Sequence, residues 1–328
     1  MTTKSLLVEL FVEELPPKSL KRLGDAFGSV LVSSLREQGL TPADSGVATF
    51  ATPRRLAVLV QDVAERAADQ QVEVKLVPVK VGLDADGNAT MPLKKKLSAL
   101  GLDESVVPTL TKKSDGKNDT LWLDRMEPGA ELAAGLQTAL DATIAKLPIP
   151  KVMTYQQADG WSNIKFVRPV HRLTALHGSD VIAVEALGVR ANNVTQGHRF
   201  EAKAETMTIG DADGYAQQLA NDGAVIASYA ERRAEIVRQL AAKSQAEGLT
   251  PIEDEELLDE VNSLVERPNV LLCQFEEQFL EVPQECLILT MKQNQKYFPL
   301  LDGAGKLTNK FLLVSNITPD DASEVVGG

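Results

Sequence analysis

Two stretches of this 328-residue chain gather all three histidines beside arginines: Phe166-Val167-Arg168-Pro169-Val170-His171-Arg172, running on to His177, and Thr195-Gln196-Gly197-His198-Arg199-Phe200. Arginine stays charged, presents a rigid fork of donors that matches phosphate, and stacks on flat rings. Beside His and Phe, that chemistry suits a polyanionic, aromatic ligand such as RNA. The same arginines also suit an internal role, neutralising carboxylates inside an acidic protein. Another pair of cations, Arg54-Arg55, follows Thr52-Pro53 at a turn between two apolar runs, a position that exposes them to a partner or merely to solvent. A metal-dependent hydrolase would need His171, His177 and His198 to converge with a carboxylate, which their local spacing does not impose.

The formal charge of −12, from 34 Lys+Arg against 46 Asp+Glu, argues against a protein that grips nucleic acid over its whole surface. Any RNA contact is expected in a patch. Between Lys75 and Lys117 eight lysines, among them Lys94-Lys95-Lys96 and Lys112-Lys113, outnumber five acids, whereas Glu253-Asp254-Glu255-Glu256 opens an acidic stretch that runs to Glu285. With 44% hydrophobic and 24% charged residues the chain reads as globular, not disordered. Glu9 interrupts the apolar run Leu6-Leu7-Val8-Glu9-Leu10 too early for a signal peptide, and no segment is long enough to span a bilayer, so a cytoplasmic protein with no membrane partner is expected. Cys273 and Cys286 lack metal-ligand spacing and read as free, buried thiols.

The elements that must position these residues alternate irregularly. Strands are expected at Ser5 to Val12, Val47 to Ala51, Leu56 to Val63, Gln71 to Val81 and Thr120 to Arg125. An amphipathic helix is expected from Pro17 to the stop at Gly39, a Lys-rich one around Pro92 to Leu100, and another from Ala130 to Leu147. Pro148-Ile149-Pro150 then marks the candidate boundary between subdomains 1–150 and 151–328. Beyond it come a strand at Val181 to Leu187, two helices between Ala212 and Gly248, an acidic helix over Glu255 to Val265, a strand at Asn269 to Gln274, a helix from Pro283 to Gln293, and strands at Tyr297 to Leu301 and Lys310 to Ser315. Gly303-Ala304-Gly305-Lys306 reads as a hairpin tip. This order implies an α+β fold with mixed or antiparallel sheets and packed helices, not a βαβ series. Walker A, dinucleotide, His-Glu-x-x-His and Gly-x-Ser-x-Gly signatures do not occur.

Six segments occur in a recognisable order: Leu7 to Pro17 (LVELFVEELPP), Thr52-Pro53-Arg54-Arg55-Leu56, Phe166 to His171, Thr195 to Phe200, Val265-Glu266-Arg267-Pro268, and Met291 to Phe298 (MKQNQKYF), closed by Phe311 to Asn316. Together they resemble the beta subunit of the bacterial heterotetrameric glycine-tRNA ligase over nearly the whole chain. Two stretches depart from the family pattern: Val77 to Gly82 with Leu93 to Leu97, where a glycine-rich segment is usual, and Lys151 to Tyr155, where a more basic run is usual.

The resemblance implies an N-terminal portion ending at Val325-Val326-Gly327-Gly328, with the family's helical and anticodon-binding domains absent. It implies a class II ligase using ATP, glycine and tRNA(Gly), in an alpha2-beta2 assembly whose alpha subunit uses ATP and Mg for adenylate chemistry. No cofactor is expected in this portion, and by itself it is expected to be inactive. It also implies regions resembling the editing-type domains of the phenylalanine enzyme's beta subunit. On this reading Arg54, Arg55, Arg168, His171, Arg172, His198 and Arg199 face tRNA or a partner, and the chain serves tRNA positioning and assembly. The alternative is a purely structural docking module, favoured by an apolar surface around Phe166, Phe200 and Phe298; a cationic groove joining Arg55, Arg168 and Arg199 would favour RNA.

Overall fold

The computed structural model describes residues 2–114, 119–156 and 160–319. The chain opens with β1 (Thr3–Val12), in which Leu6 to Val12 are all buried, so both faces of the strand are covered. A turn of 3-10 helix at Pro17–Ser19 leads into α1 (Leu20–Glu37), which ends where Gly39 takes a φ of 72°. Then come β2 (Val47–Thr52) and β3 (Arg55–Ala64). One face of α1 carries Gly24 and Gly28, and a methyl group on either would lie within 2.6 Å of Ala51 or Thr49 in β2. Glycine there lets the helix backbone approach the sheet.

Residues Arg66–Glu131 form a unit of their own. It comprises β4 (Gln70–Pro78), α2 (Val79–Gly82), α3 (Met91–Ala99), β5 (Thr111–Ser114) and β6 (Asp119–Glu127), with the sheet ordered β4-β6-β5. Leu76, Leu93, Leu97, Leu121 and Leu123 make its core. The strand expected to reach Val81 stops at Pro78, which has no N–H for the ladder, and the chain turns helical. The polar strand β5 lacks apolar alternation and was not expected from its sequence. Lys117, at the end of the lysine-rich stretch, lies outside the described residues.

The other unit is Met1–Glu65 with Leu132–Gly328. It resumes with α4 (Leu132–Lys146), the hairpin β7 (Met153–Gln156) and β8 (Asn163–Phe166), then β9 (Val170–His177), β10 (Asp180–Val181), β11 (Glu185–Ala186), β12 (Val189–Asn192), β13 (Val194–Thr195) and β14 (Met207–Thr208). The single strand expected over Val181 to Leu187 is interrupted, and Leu187 turns left-handed at φ 50°. β1 sits between β3 and β9, antiparallel to both, in the order β11-β12-β9-β1-β3-β2. A boundary at Pro148 to Pro150 therefore does not separate the two units: a strand from either side of it shares one sheet.

Next follow α5 (Tyr215–Asn221), α6 (Tyr229–Ala246), β15 (Thr250–Pro251), α7 (Glu255–Asn262), β16 (Asn269–Gln274), α8 (Gln284–Gln293), β17 (Phe298–Leu301) and β18 (Leu307–Ser315). A four-stranded sheet ordered β15-β17-β18-β16 packs Val270, Phe298, Leu300 and Leu312 against Ile236 of α6 and Leu257 and Val261 of α7. Gly303 to Lys306 do form the hairpin tip between β17 and β18. Cys273 is buried, whereas Cys286 is exposed, contrary to expectation. The architecture is α+β, and among the described residues no helix is long and apolar enough to cross a membrane.

Candidate nucleic-acid interface

Side chains at Leu7, Glu9 and Phe11 share one face of β1, because successive residues point to opposite sides of a strand. Leu7 joins an apolar cluster with Tyr215 and Leu219 of α5. Glu9, beside it, is wholly buried and meets Arg55 of β3, also wholly buried, at 3.1 Å. Thr195 and Tyr215 donate their hydroxyl protons to the two Glu9 oxygens. Arg55 completes its fork by donating to the Gln196 carbonyl at 2.7 Å and the Thr52 hydroxyl at 3.2 Å, with Glu266 at 3.9 Å. Burial opposes the charge on Arg55, but Glu9, Tyr215 and Glu266 outweigh it and its pKa is raised. Burial, then the Glu9 carboxylate, drives the Tyr215 hydroxyl well above its ordinary pKa, which keeps it a donor.

A second buried cation, Arg232 of α6, donates to three carbonyls: Asn262 at 3.2 Å, Ile226 at 2.8 Å and Ala51 of β2 at 2.8 Å. Burial lowers its pKa to about 10, which leaves it charged at neutral pH. It ties the second sheet layer to the end of β2.

Above this buried cluster lies a rim built on the segment that leaves β1. Val12 and Leu15 donate backbone N–H groups to Arg54 and Pro53, at 2.8 and 2.7 Å, and Glu13 donates to Pro169 at 3.0 Å. Between Phe11↔Arg172 and Val12↔Val170 the register shifts by one residue, so His171 occupies a bulge. A bulge re-aims a side chain, and here the His171 ring reaches Glu13 at 2.8 Å. Arg199 lies 3.9 Å from the other Glu13 oxygen. The His171 bond, first, and then the neighbouring arginines hold the Glu13 carboxyl below its ordinary pKa.

Arg54 is half-buried, with its guanidinium 4.7 Å from the Phe11 ring centroid. Its Nε is fully buried and has no hydrogen-bond partner. Burial, the largest influence, lowers its pKa. Arg172 is partly exposed, and its side chain makes no hydrogen bond or ion pair among the described residues. Arg267, next along, pairs with Glu201 at 3.6 Å. The rim thus carries Arg54, His171, Arg172, Arg199 and Arg267, with Glu13 and Glu201 in ion-pair contact and Glu266 acting on Arg54.

A sequence profile of the glycyl-tRNA synthetase beta subunit family matches residues 6–328. The chain belongs to this family. Glycine–tRNA ligase beta subunits of Thiobacillus denitrificans, Leptothrix cholodnii and Dechloromonas aromatica are 64%, 63% and 62% identical to it, each over 100% of this chain. They are covered over 47%, 46% and 48% of their own lengths, so the chain spans about half the length of these curated relatives.

The seven arginines and histidines singled out from sequence divide by depth. Arg54, His171, Arg172 and Arg199 lie on the rim, as described. Arg55 is not exposed at its turn: it faces inward from β3 and is consumed by the Glu9 cluster. His198 is only 2% exposed; its Nε2–H donates to the Asn316 carbonyl at 2.6 Å, while Nδ1 accepts the backbone N–H groups of Phe200 and Glu201. Those roles fix one neutral tautomer and leave no nitrogen for a ligand. Arg168 spends its donors on the Glu14 carbonyl at 2.8 Å and the Val167 carbonyl at 3.0 Å, fastening its own loop to the β1 exit.

His177 is buried, donating to the Val63 carbonyl at 2.7 Å. Six residues along β9 separate it from His171, about 20 Å. The three rings do not converge, and among the described residues no group of His, Cys, Asp or Glu is placed to hold a metal ion. Phe166 and Phe298 are buried while Phe200 is 75% exposed, so the three phenylalanines form no common apolar surface.

Sequence reasoning missed Glu13, the hub of the rim, and Glu9, Thr195, Tyr215 and Glu266 around Arg55. A signal for Glu9 existed. A carboxylate inside an otherwise apolar strand has to find a buried cation.

Proposed function

We propose that this chain serves glycyl-tRNA synthesis as the tRNA-positioning and assembly part of a glycine–tRNA ligase beta subunit. The reaction joins glycine to tRNA(Gly) with conversion of ATP to AMP and pyrophosphate. Adenylate chemistry, with its ATP and Mg, resides in the alpha subunit of a cytoplasmic class II alpha2-beta2 assembly, and the chain by itself is inactive. Its contribution is to hold RNA so that an encounter between separate molecules becomes a positioned transfer.

The observation that carries this reading is Arg54: a half-buried guanidinium with no carboxylate in ion-pair contact among the described residues, set among further cations of the rim. The side of this guanidinium that solvent reaches can donate to a phosphate oxygen. Exposed Phe200 beside Arg199 favours the second reading, docking onto protein without RNA contact. Binding of tRNA(Gly) to the chain at two salt concentrations separates them. Salt-sensitive binding weakened by Arg54→Ala and Arg199→Ala supports the RNA role. Absent binding, or binding indifferent to salt and both substitutions, favours docking.

A further inference from the structure

The sheet of the Arg66–Glu131 unit has two unlike faces. Val74, Leu76, Leu121 and Leu123 point into the core beneath α3. Between them, Gln71, Glu73, Lys75, Asp124 and Met126 point the other way and are exposed, so no helix covers this face among the described residues. At its centre stands Trp122, partly exposed on the middle strand β6, with Lys75 of β4 and Thr111 of β5 directly opposite on either side. The Lys75 and Lys113 ammonium groups lie 6.0 and 5.6 Å from the indole centroid.

We infer that this face is a stacking platform for unpaired nucleotides of an RNA strand. A large flat ring in the middle of an uncovered three-stranded sheet offers what a splayed base needs, and stacking on it tolerates any base. Lys75 and Lys113 stand where the flanking phosphates of a stacked base would run. Glu73 and Asp124 stand one row along the strands from Lys75 and Trp122, and the Glu73 carboxylate reaches back to the Lys113 ammonium. Lys113 is paired with Glu73, but both side chains are about half exposed, so the pair is weak enough to be exchanged for phosphate. A duplex, whose bases are already stacked, has no use for the ring.

The platform and the rim around Glu13 belong to different units of the chain, and only the RNA nature of the ligand is common to the two. The chain has two tryptophans, so in a Trp161→Phe background Trp122 is the sole indole emitter. Titration of that chain with a six-nucleotide oligoadenylate should give saturable quenching, and a stable blunt-ended G·C duplex should not. Followed by anisotropy of a labelled hexamer, Trp122→Ala should weaken binding about tenfold and Trp122→Phe distinctly less. The Lys75→Ala, Lys113→Ala double variant should reduce the log–log salt slope by about 1.4, the share of two phosphates on a single strand. Arg54→Ala with Arg199→Ala should leave the quenching unchanged, so failure of the rim and failure of the platform read out separately. Absence of quenching, equal quenching by duplex, or hexamer binding indifferent to Trp122→Ala overturns the inference, provided circular dichroism shows the variants folded.

Discussion

The guanidinium groups of Arg54 and Arg55 approach the ring of Phe11 to 4.7 and 5.4 Å, yet only Arg55 has a carboxylate within 3.1 Å. Arg55 opens β3 and faces Glu9, whereas Arg54 belongs to the turn before it, so one cation seals the core and its neighbour is left at the rim. A division of labour follows, in which fold stability rests on Arg55 and, on the proposed reading, ligand contact on Arg54.

Arg55→Met should destabilise the chain by about 3–5 kcal/mol, because it leaves Glu9 charged and unpaired in the interior. The double variant Arg55→Met, Glu9→Leu should recover part of that loss. Urea unfolding of the two variants checks this, and an unchanged midpoint for the single variant would contradict the role assigned to the pair.

His198→Phe should cost about 1–3 kcal/mol, since it strands the Asn316 carbonyl and the N–H groups of Phe200 and Glu201 without their partner. Gly197→Ala should cost a similar ~1–3 kcal/mol by overpacking, as a methyl group would fall 2.5 Å from the Gly223 backbone. Thermal unfolding is the measurement, with both variants expected to melt below the parent.

Glu13→Gln should tighten RNA binding roughly two- to fivefold by removing a like charge from the rim and releasing His171 and Arg199. Arg168→Ala should act mainly on stability, because its donors serve the Glu14 and Val167 carbonyls. Filter binding of tRNA(Gly) beside a melting curve for each variant tests the contrast.

Acid should destabilise the chain through Glu13 and Asp254. His171 lowers Glu13 from its ordinary 4.5; for Asp254 burial acts upward, but Lys292 and the Leu257 N–H outweigh it and leave it below 3.8. A carboxyl with a lowered folded pKa stabilises fully above its unfolded value and loses that contribution as pH falls through the folded one. The denaturant midpoint should therefore fall below about pH 4.5, and less steeply in Glu13→Gln and Asp254→Asn.

From the sequence by itself came most of the elements, the α+β class, the family motifs, and the gathering of cations at three turns and strand starts. Those features are local: period-two and helical spacing, Pro and Gly punctuation, and side-chain type are written residue by residue. Depth was decided only by tertiary structure. Periodicity places Glu9 and Arg55 on a face but does not say what covers it, and the cover comes from Thr195 and Tyr215, 186 and 206 residues further along the chain than Glu9. Likewise Pro148 to Pro150 looked like a boundary because proline breaks local structure, whereas the actual division was set by β1 pairing with β3 and β9 on either side of the Arg66–Glu131 unit. Hydrogen bonding across such separations, not propensity, turned His198 and Arg55 inward and left Arg54 and Arg199 at the rim.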